Sequence, residues 1–352
     1  MADDPTLTCH LRDLRERAGL SQQALGERVG VSRQAINAVE GGRQVPSTVL
    51  SLRLAQVLGV SVEALFSLPV ASGLSVRTVG VGSERVLLGR VRGSWVAHVL
   101  GADEVRPADG LLLGGARVEP LHAVDRLADR LLVAGCAPLL ALLGHRPSAG
   151  VTWLSASTGR ALDWLDMGLV HVAGLHAWDP ASQAANLDLL RARLRGRPLV
   201  VVHLTRWRQG ILTAPGNPLG IRSLADLARP GLRFARRGPG AGASRVVQAA
   251  IGELPEGPLA RGHADVARLV QVNAADAGVA IEAVALAAGL SFTPLSEERF
   301  DLAFPADLAD DPRVARLVET LTGRGFRAEA SRIAGYDLGL VGQTARTDGE
   351  AA

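Results

Sequence analysis

The first stretch of the chain repeats one pattern, an apolar stripe at helical spacing closed by glycine. Leu7, Leu11, Leu14 and Ala18 form the first stripe, and Gly19 ends it. Between Ser21 and Gly42 the pattern predicts two short helices around a tight turn. Ser21 caps the first, because its hydroxyl can accept from an unpaired first-turn amide, and Leu25 and Val29 share one face. Gly30 sits where the chain must reverse with positive φ, Val31 fills the turn, and Ser32 caps the second helix. Ile36 and Val39 are the buried side of that second helix, which leaves Arg33, Gln34 and Asn37 facing outward. Pro46-Ser47 opens a fourth helix with Leu50, Leu54 and Leu58 inward and Gly59 as its stop. Ser61 caps a last short helix that ends at Leu65-Phe66.

The period then changes. Residues 68–76 hold Pro and Gly, show no helical repeat, and read as a linker. Arg85–Val91, Ser94–Leu100 and Gly110–Val118 alternate or run apolar between glycine turns, as strands of a hairpin-like extension. Apolar strands at Arg130–Ala134, Val151–Leu154 and Leu169–Ala173 are each followed by small residues, with helices through Leu143 and to Leu165 after the first two. Further strands are predicted at Leu199–Leu204, Leu232–Arg236 and Asp276–Ile281, with an extended return over Phe292–Phe304 and closing helices at Asp311–Thr322 and Arg327–Ile333. Strand, tight turn and helix in alternation is the rhythm of a parallel α/β sheet, whose ligand sites lie at the carboxyl ends of the strands.

Composition narrows the chemistry. All 38 basic residues are Arg, which a GC-rich genome accounts for. The absence of Lys excludes a P-loop lysine, a Schiff-base lysine and the usual pyridoxal-phosphate enzyme. The net charge of +3 is compatible with a polyanionic partner. Residues 1–68, however, carry seven Arg against seven acidic side chains, so DNA binding must rest on where Arg28, Arg33 and Arg43 stand rather than on bulk charge. Cys9 and Cys136 are the only cysteines, which argues against a disulfide framework. The most apolar run, Leu131–Leu143, is too short to span a membrane and contains Pro138. The polar start MADDPTLTCH is no signal peptide, so a cytoplasmic protein is expected. There is no G-x-S-x-G elbow and no H-E-x-x-H, and no enzyme is expected. The eight His form no metal motif: His171 and His176 stand five apart across a strand end, and buried, hydrogen-bonded roles suit them better. No metal and no cofactor are expected. GPGAGA follows a strand but lacks the G-x-G-x-x-G spacing of a dinucleotide site.

The SQxxL opening, the GVSRQxI junction and the ExGxRxPS exit from Glu40 to Ser47 resemble the helix-turn-helix of the Cro/C1 (XRE) repressor family over about residues 8–67. The resemblance implies an all-α, five-helix DNA-binding domain over residues 1–67. An Arg reads the guanine edge and a Gln the adenine edge in a bidentate way, so Arg33, Gln34 and Asn37 are the expected base readers. Gln22, Ser32, Arg43 and Gln44 are the expected backbone contacts on operator DNA. One head makes too few base contacts for specificity, so a homodimer on a two-fold site is expected.

The segments AGCAPLLALL, AGLHAWD, QGILTAPGNPLGI, RRGPGAGASR, ADAGVAIEAVA and LSFTPLSEERFDL resemble the periplasmic-binding-protein-like domain related to molybdate-binding proteins. That resemblance covers about residues 77–342 and implies a two-lobed (type II) α/β ligand sensor, with lobe 1 at about 77–204 and 293–342 and lobe 2 at about 205–292. Such domains carry a Gly-Ser-Gly-Thr-Arg type loop. Here the loop is Gly240-Ala241-Gly242-Ala243-Ser244-Arg245, with one hydroxyl missing at Ala241 and another displaced to Ser244. Three turns are candidate anion seats: Gly135-Cys136-Ala137, Ser155 through Ser157 and Thr158, and Gly240 through Ala243. Small residues also simply permit tight turns. Arg245 would add a charge-assisted bond, and His176 and Asp276 stand at strand ends within reach of a ligand. Cys136 reads as cleft lining, with redox or metal sensitivity the lesser alternative. Together these readings describe a one-component regulator sensing an oxyanion, molybdate or tungstate, or else an organic metabolite. An enzyme on the same fold and a scaffold that only dimerises are the other classes.

Overall fold

A computed structural model describes residues 8–67, 73–177, 185–238 and 240–348. Leu7 of the first predicted stripe, residues 68–72 of the predicted linker, and Trp178 and Asp179 of the AGLHAWD segment lie outside the described residues. The chain divides into two compact units, Met1–Leu74 and Ser75–Ala352.

Among the described residues the first unit holds five helices: α1 (Leu11–Arg17), α2 (Gln22–Val29), α3 (Arg33–Glu40), α4 (Thr48–Leu58) and α5 (Val62–Leu65). Four serines start the last four. The hydroxyls of Ser21, Ser32, Ser47 and Ser61 accept from the amides of Ala24, Ala35, Leu50 and Ala64. Each such cap is worth about 1 kcal/mol, so a repeated S-x-x-A/L spacing fixes where each helix begins. Leu11, Leu25, Val29, Ile36, Leu54 and Leu65 meet in one core. Gly26 is needed inside α2 because a Cβ there would sit 2.7 Å from the Val31 carbonyl oxygen, where the next segment crosses. Beneath α3 the Glu40 carboxylate is fully buried and accepts from Arg15 Nε at 2.6 Å and Gln22 Nε2 at 2.8 Å. The last helix is one residue shorter than its pattern predicts. Phe66 leaves it to pair, with Ser67, against Thr8–Cys9, which closes the bundle.

The second unit is organised by one mixed sheet. Its main strands are β1 (Leu131–Gly135), β2 (Val151–Ser155), β3 (Val172–Leu175), β4 (Leu199–Thr213), β5 (Phe234–Arg237), β6 (Ala277–Ile281) and β7 (Ser291–Pro305), in the spatial order β2-β1-β3-β7-β4-β6-β5, with short strands Leu259–Ala260, Tyr336–Asp337 and Thr344–Arg346 added to β5 and β4. β1, β2 and β3 run parallel, as do β5 and β6. Between them β4 and β7 run antiparallel over their whole length, from Leu199 opposite Pro305 to Thr213 opposite Ser291. These two crossing strands join a lobe built on β1–β3 to a lobe built on β5 and β6. The register shifts once between His203 and Thr205 and again between Gln209 and Gly210, so each crossing strand bends near its middle.

The predicted strand at Leu199–Leu204 is therefore less than half of β4. Arg206, Arg208 and Gln209 interrupt the apolar run beyond it, yet each of these side chains finds a partner. Arg206 pairs with Asp337, Arg208 with Glu282, and Gln209 and the Trp207 indole with Glu298. The third strand lies later than its apolar run suggests, because Gly168, at φ +64, follows the end of the preceding helix and the Leu169 amide bonds back to Trp164. The predicted strand Gly110–Val118 is two strands, Gly110–Gly114 and Arg117–Pro120, folded at Gly115 and Ala116. With Arg77–Val79, Arg85–Val91 and Ser94–Val99 they make a separate sheet, whose Leu87, Val91 and Val96 pack on Leu132, Leu162 and Leu165 of the first lobe. Among the described residues no helix is long and apolar enough to cross a membrane. The molecule is thus multidomain: a helical helix-turn-helix unit followed by a two-lobed α/β unit with a β-rich extension.

Candidate functional site

In the helical unit Arg33 and Gln34, the first two residues of α3, are exposed on the side away from Ile36 and Val39. Arg43 and Gln44 are exposed just beyond its end, and Arg43 Nη2 bonds the side-chain oxygen of Asn37. Asn37 is thereby tied to the exit loop. Ser32 uses its hydroxyl as the α3 cap. Gln22 is the exception among the expected DNA contacts, since its amide is held by Glu40 and braces α2 against α3.

In the α/β unit the carboxyl ends of the strands converge on a buried cluster. Cys136 follows β1, His176 follows β3, Arg237 ends β5, and His263 opens the helix His263–Gln271. Their exposures are 8%, 4%, 7% and 2%. Glu298, from β7, lies beneath them. It takes His176 Nδ1 at 2.6 Å, Trp207 Nε1 at 3.3 Å and Gln209 Nε2 at 3.1 Å. Burial opposes protonation of His176, but the Cys136 sulfur and the Glu298 carboxylate outweigh it and hold its pKa up to about 10. The ion pair His176–Glu298 is therefore neutral as a unit near pH 7.

The other half of the cluster is unfinished. Arg237 Nη1 reaches His263 Nδ1 at 3.4 Å, but Arg237 Nε, His263 Nε2 and Gln209 Oε1 are buried without a partner. Burial pushes the pKa of Arg237 down and drives that of His263 well down, the latter with help from Arg237 and His176. Among the described residues no carboxylate forms a salt bridge with Arg237. Unsatisfied buried polar atoms cost about 1–3 kcal/mol each, more when charged, so this half of the cluster carries a cost that its own side chains do not offset.

The helix Gly242–Ile251 starts at the same place. Its N-cap, Ala241, offers no side-chain acceptor, and Ala241, Gly242, Ala243 and Ser244 are buried there. Ser244 Oγ donates to the Arg237 carbonyl. A Cβ on Gly242 would lie 3.5 Å from His176 Cε1, so the helix of one lobe begins against the histidine of the other. Gly240, at φ +81, accepts from the Gly159 amide at 3.4 Å, a second contact between the lobes.

The remaining predicted residues divide. Thr158 is buried and exchanges hydrogen bonds with the His176 backbone, which sets that strand end. Ser157 caps the helix Thr158–Asp166, and Ser155 is exposed at the end of β2. Gly135 is a packing glycine: a Cβ there would meet Leu140, Gly174 and Phe300 at 2.9–3.3 Å. The helix after it is only Leu140–Gly144, which starts beyond Cys136 and gives that turn no helix end. Arg245 is exposed, one position past the buried start of its helix, and the guanidinium in the cluster belongs to Arg237. Asp276 lies at the opposite edge. It precedes β6 next to Phe234, the amino end of β5, and holds Arg233 at 2.6 Å. His171 is a buried structural residue that accepts from the Leu132 amide and bonds the Arg90 carbonyl.

Sequence reasoning missed Arg237, His263, Gln209 and Glu298. They are distant in sequence and meet only because two lobes share the crossing strands. The one available signal was Arg237 itself, the last residue before the glycine loop.

Two domain families match the chain: the PBP superfamily domain over residues 140–322 and a helix-turn-helix domain over residues 6–67. A Bacillus subtilis protein, the uncharacterized protein YvgK, is 25% identical over 185 residues, which are 50% of this chain. The chain spans 59% of that relative's length. Among solved structures, the tungstate ABC transporter of Geobacter sulfurreducens is 18% identical with a TM-score of 0.41, over 58% of this chain and 98% of that one. An ABC-type phosphate transport receptor of Vibrio cholerae is 11% identical with a TM-score of 0.41, over 59% of this chain and 99% of that one. The sequence match over the α/β unit, together with two lobes hinged on paired crossing strands, places the chain in the PBP superfamily, with a helix-turn-helix domain ahead of it.

Proposed function

We propose that this chain is a one-component transcription regulator whose DNA affinity answers to a small anion held between the two lobes. The observation that carries the anion is Arg237, a buried guanidinium without a carboxylate partner among the described residues, beside the uncapped start of a ten-residue helix. Free first-turn amides and a positive helix end stabilise an anion there, and Arg237 adds a charge-assisted bond. The neutral His176–Glu298 pair leaves Arg237 as the charge to be matched. Molybdate or tungstate is the first choice, because the binding motifs resemble those of molybdate-binding proteins. With Ala241 in place of a hydroxyl residue, recognition would rest on backbone amides and Arg237. A carboxylate metabolite is the second choice, since a guanidinium fork matches it bidentately.

A ligand regulates only if the open and closed forms bind it differently, and here closure assembles the site from both lobes. The readout is α3, with Arg33 and Gln34 on base edges and Arg43 and Gln44 on phosphates, in a homodimer on a two-fold operator. The protein acts where the DNA is, in the cytoplasm, and turns nothing over. Two measurements test this reading. In a gel-shift assay Arg33→Ala with Gln34→Ala abolishes operator binding, and retained binding would refute the assignment of α3. Calorimetry against molybdate, tungstate and a panel of carboxylates shows which class binds, and no heat from any of them removes the anion sensor.

A further inference from the structure

Cys136, His176 and His263 each offer one ligand atom, and these three atoms lie within 4.8 Å of one another in the buried cluster. We propose that they form a zinc-class metal site that bridges the two lobes. The sequence hid this site: its ligands come from three separate elements, the end of β1, the end of β3, and the first turn of the helix His263–Gln271.

Three features carry the assignment. The donor set is one sulfur and two imidazoles, which suits a borderline-soft divalent ion and not calcium or magnesium. Zinc bonds of about 2.0–2.3 Å put tetrahedral ligands roughly 3.3–3.8 Å apart, so a contraction of at most about 1.5 Å closes the cluster on the ion. Glu298 engages His176 Nδ1 at 2.6 Å and is itself held by Trp207 and Gln209, which orients the ring and leaves Nε2 for the metal. His263 supplies the independent sign of a missing occupant, since its Nε2 is fully buried and bonded to nothing.

Charge is consistent with this. A divalent ion with a Cys136 thiolate, the Glu298 carboxylate and Arg237 leaves one net positive charge. The ion replaces the ring proton of His176. If it binds His263 through Nε2, the remaining ring proton must sit on Nδ1, and Arg237 gives up its long 3.4 Å contact there. The freed guanidinium then faces the fourth, open position of a three-ligand metal, where an anion completes the coordination. In this form the inference deepens the proposed function: the metal clasps the lobes and prepares the anion seat. Metal binding itself does not depend on that reading.

The test uses the full chain, stripped of metal and titrated with cobalt(II) as a spectroscopic stand-in for zinc. One cobalt per chain is expected, with a thiolate-to-cobalt absorption and tetrahedral visible bands, all displaced by zinc(II). Cys136→Ser removes the thiolate band, His263→Gln weakens binding by about tenfold or more, and Cys9→Ser changes neither. Circular dichroism establishes that each variant is folded. For any variant that does not fold, alkylation replaces it: zinc protects Cys136 of the wild-type chain from a thiol reagent. Absence of the thiolate band in the wild-type chain, its survival in Cys136→Ser, or zinc that leaves Cys136 unprotected overturns the site. Binding of copper(I) with no binding of zinc(II) overturns the divalent assignment. A chain that passes these tests yet shows no anion effect on DNA binding keeps the metal site and loses the sensor reading.

Discussion

Each unit of this protein buries a cluster of charged side chains, and the two clusters are finished to different degrees. In the helical unit Glu40 is matched by Arg15 and Gln22, and among the described residues no buried side-chain polar atom of that unit lacks a partner. In the α/β unit Glu298 is equally well matched, but Arg237 Nε, His263 Nε2 and Gln209 Oε1 beside it are not. A closed network fixes one structure. A network left open at the meeting of two lobes carries a desolvation cost that a bound group would relieve. On the function proposed above, the first cluster serves folding and the second binding, and substitutions separate them.

The largest effect is expected at Glu40. Glu40→Ala leaves the Arg15 guanidinium buried without its carboxylate and costs the helical unit roughly 3–5 kcal/mol, read as a lower denaturant midpoint. The pH dependence follows the same pair. Burial raises the Glu40 pKa, but Arg15, Gln22 and Arg12 together bring it below the ordinary carboxylate value. A depressed folded pKa supplies stability that is present above the unfolded value and lost as pH falls through the folded one. The wild-type unit should thus weaken below about pH 4, and the variant should show a flatter acid limb. An unchanged acid limb would mean that the ion pair is worth nothing.

Arg33→Ala comes next. Its side chain is exposed, so stability stays constant while operator affinity falls by about 1–3 kcal/mol, measured by fluorescence anisotropy. Gln22→Ala should do the reverse. It weakens the helical unit by about 1 kcal/mol through the lost bond to Glu40, and affects DNA only in proportion.

The two clusters also differ in how far the sequence revealed them. The helical unit was legible because its signals are local: four serine caps, two left-handed glycines that end α2 and α4, and stripes at helical spacing. Even so, the bond from Gln22 to Glu40 was not legible, because a glutamine at a helix start looks the same whether it faces phosphate or an internal carboxylate. The α/β rhythm was legible too, but the crossing strand was not. Arg206, Arg208 and Gln209 break the apolar pattern, and only the bond to Glu298 shows why Gln209 is buried. The site was least legible. Asp276 and Arg237 both lie at strand ends, and which end faces the other lobe is decided by the register of β5 on β6.

Arg237→Met tests whether the open cluster is a binding device. A buried cation is replaced by an apolar side chain of similar length, while the Ser244 bond to the residue's carbonyl survives. The unliganded protein should gain about 0.5–2 kcal/mol, seen as a higher melting temperature, and lose its heat of anion binding. Stability gained together with function lost is the mark of a site held open at a cost. A variant that is destabilised and still binds would assign Arg237 to the fold instead.

The smallest effect separates two arginines that the sequence could not rank. Both flank the glycine loop, and Arg245 is the one that the loop's resemblance to a Gly-Ser-Gly-Thr-Arg pattern favours. In the structure Arg245 is exposed, whereas Arg237 is 7% exposed within the cluster. A solvated guanidinium is already well hydrated, so removing it changes little. Arg245→Ala should alter stability by less than about 0.5 kcal/mol and leave anion binding intact. If it abolishes binding while Arg237→Met does not, the helix must turn its other side to the ligand when the lobes move, and the cluster described here is packing rather than a seat.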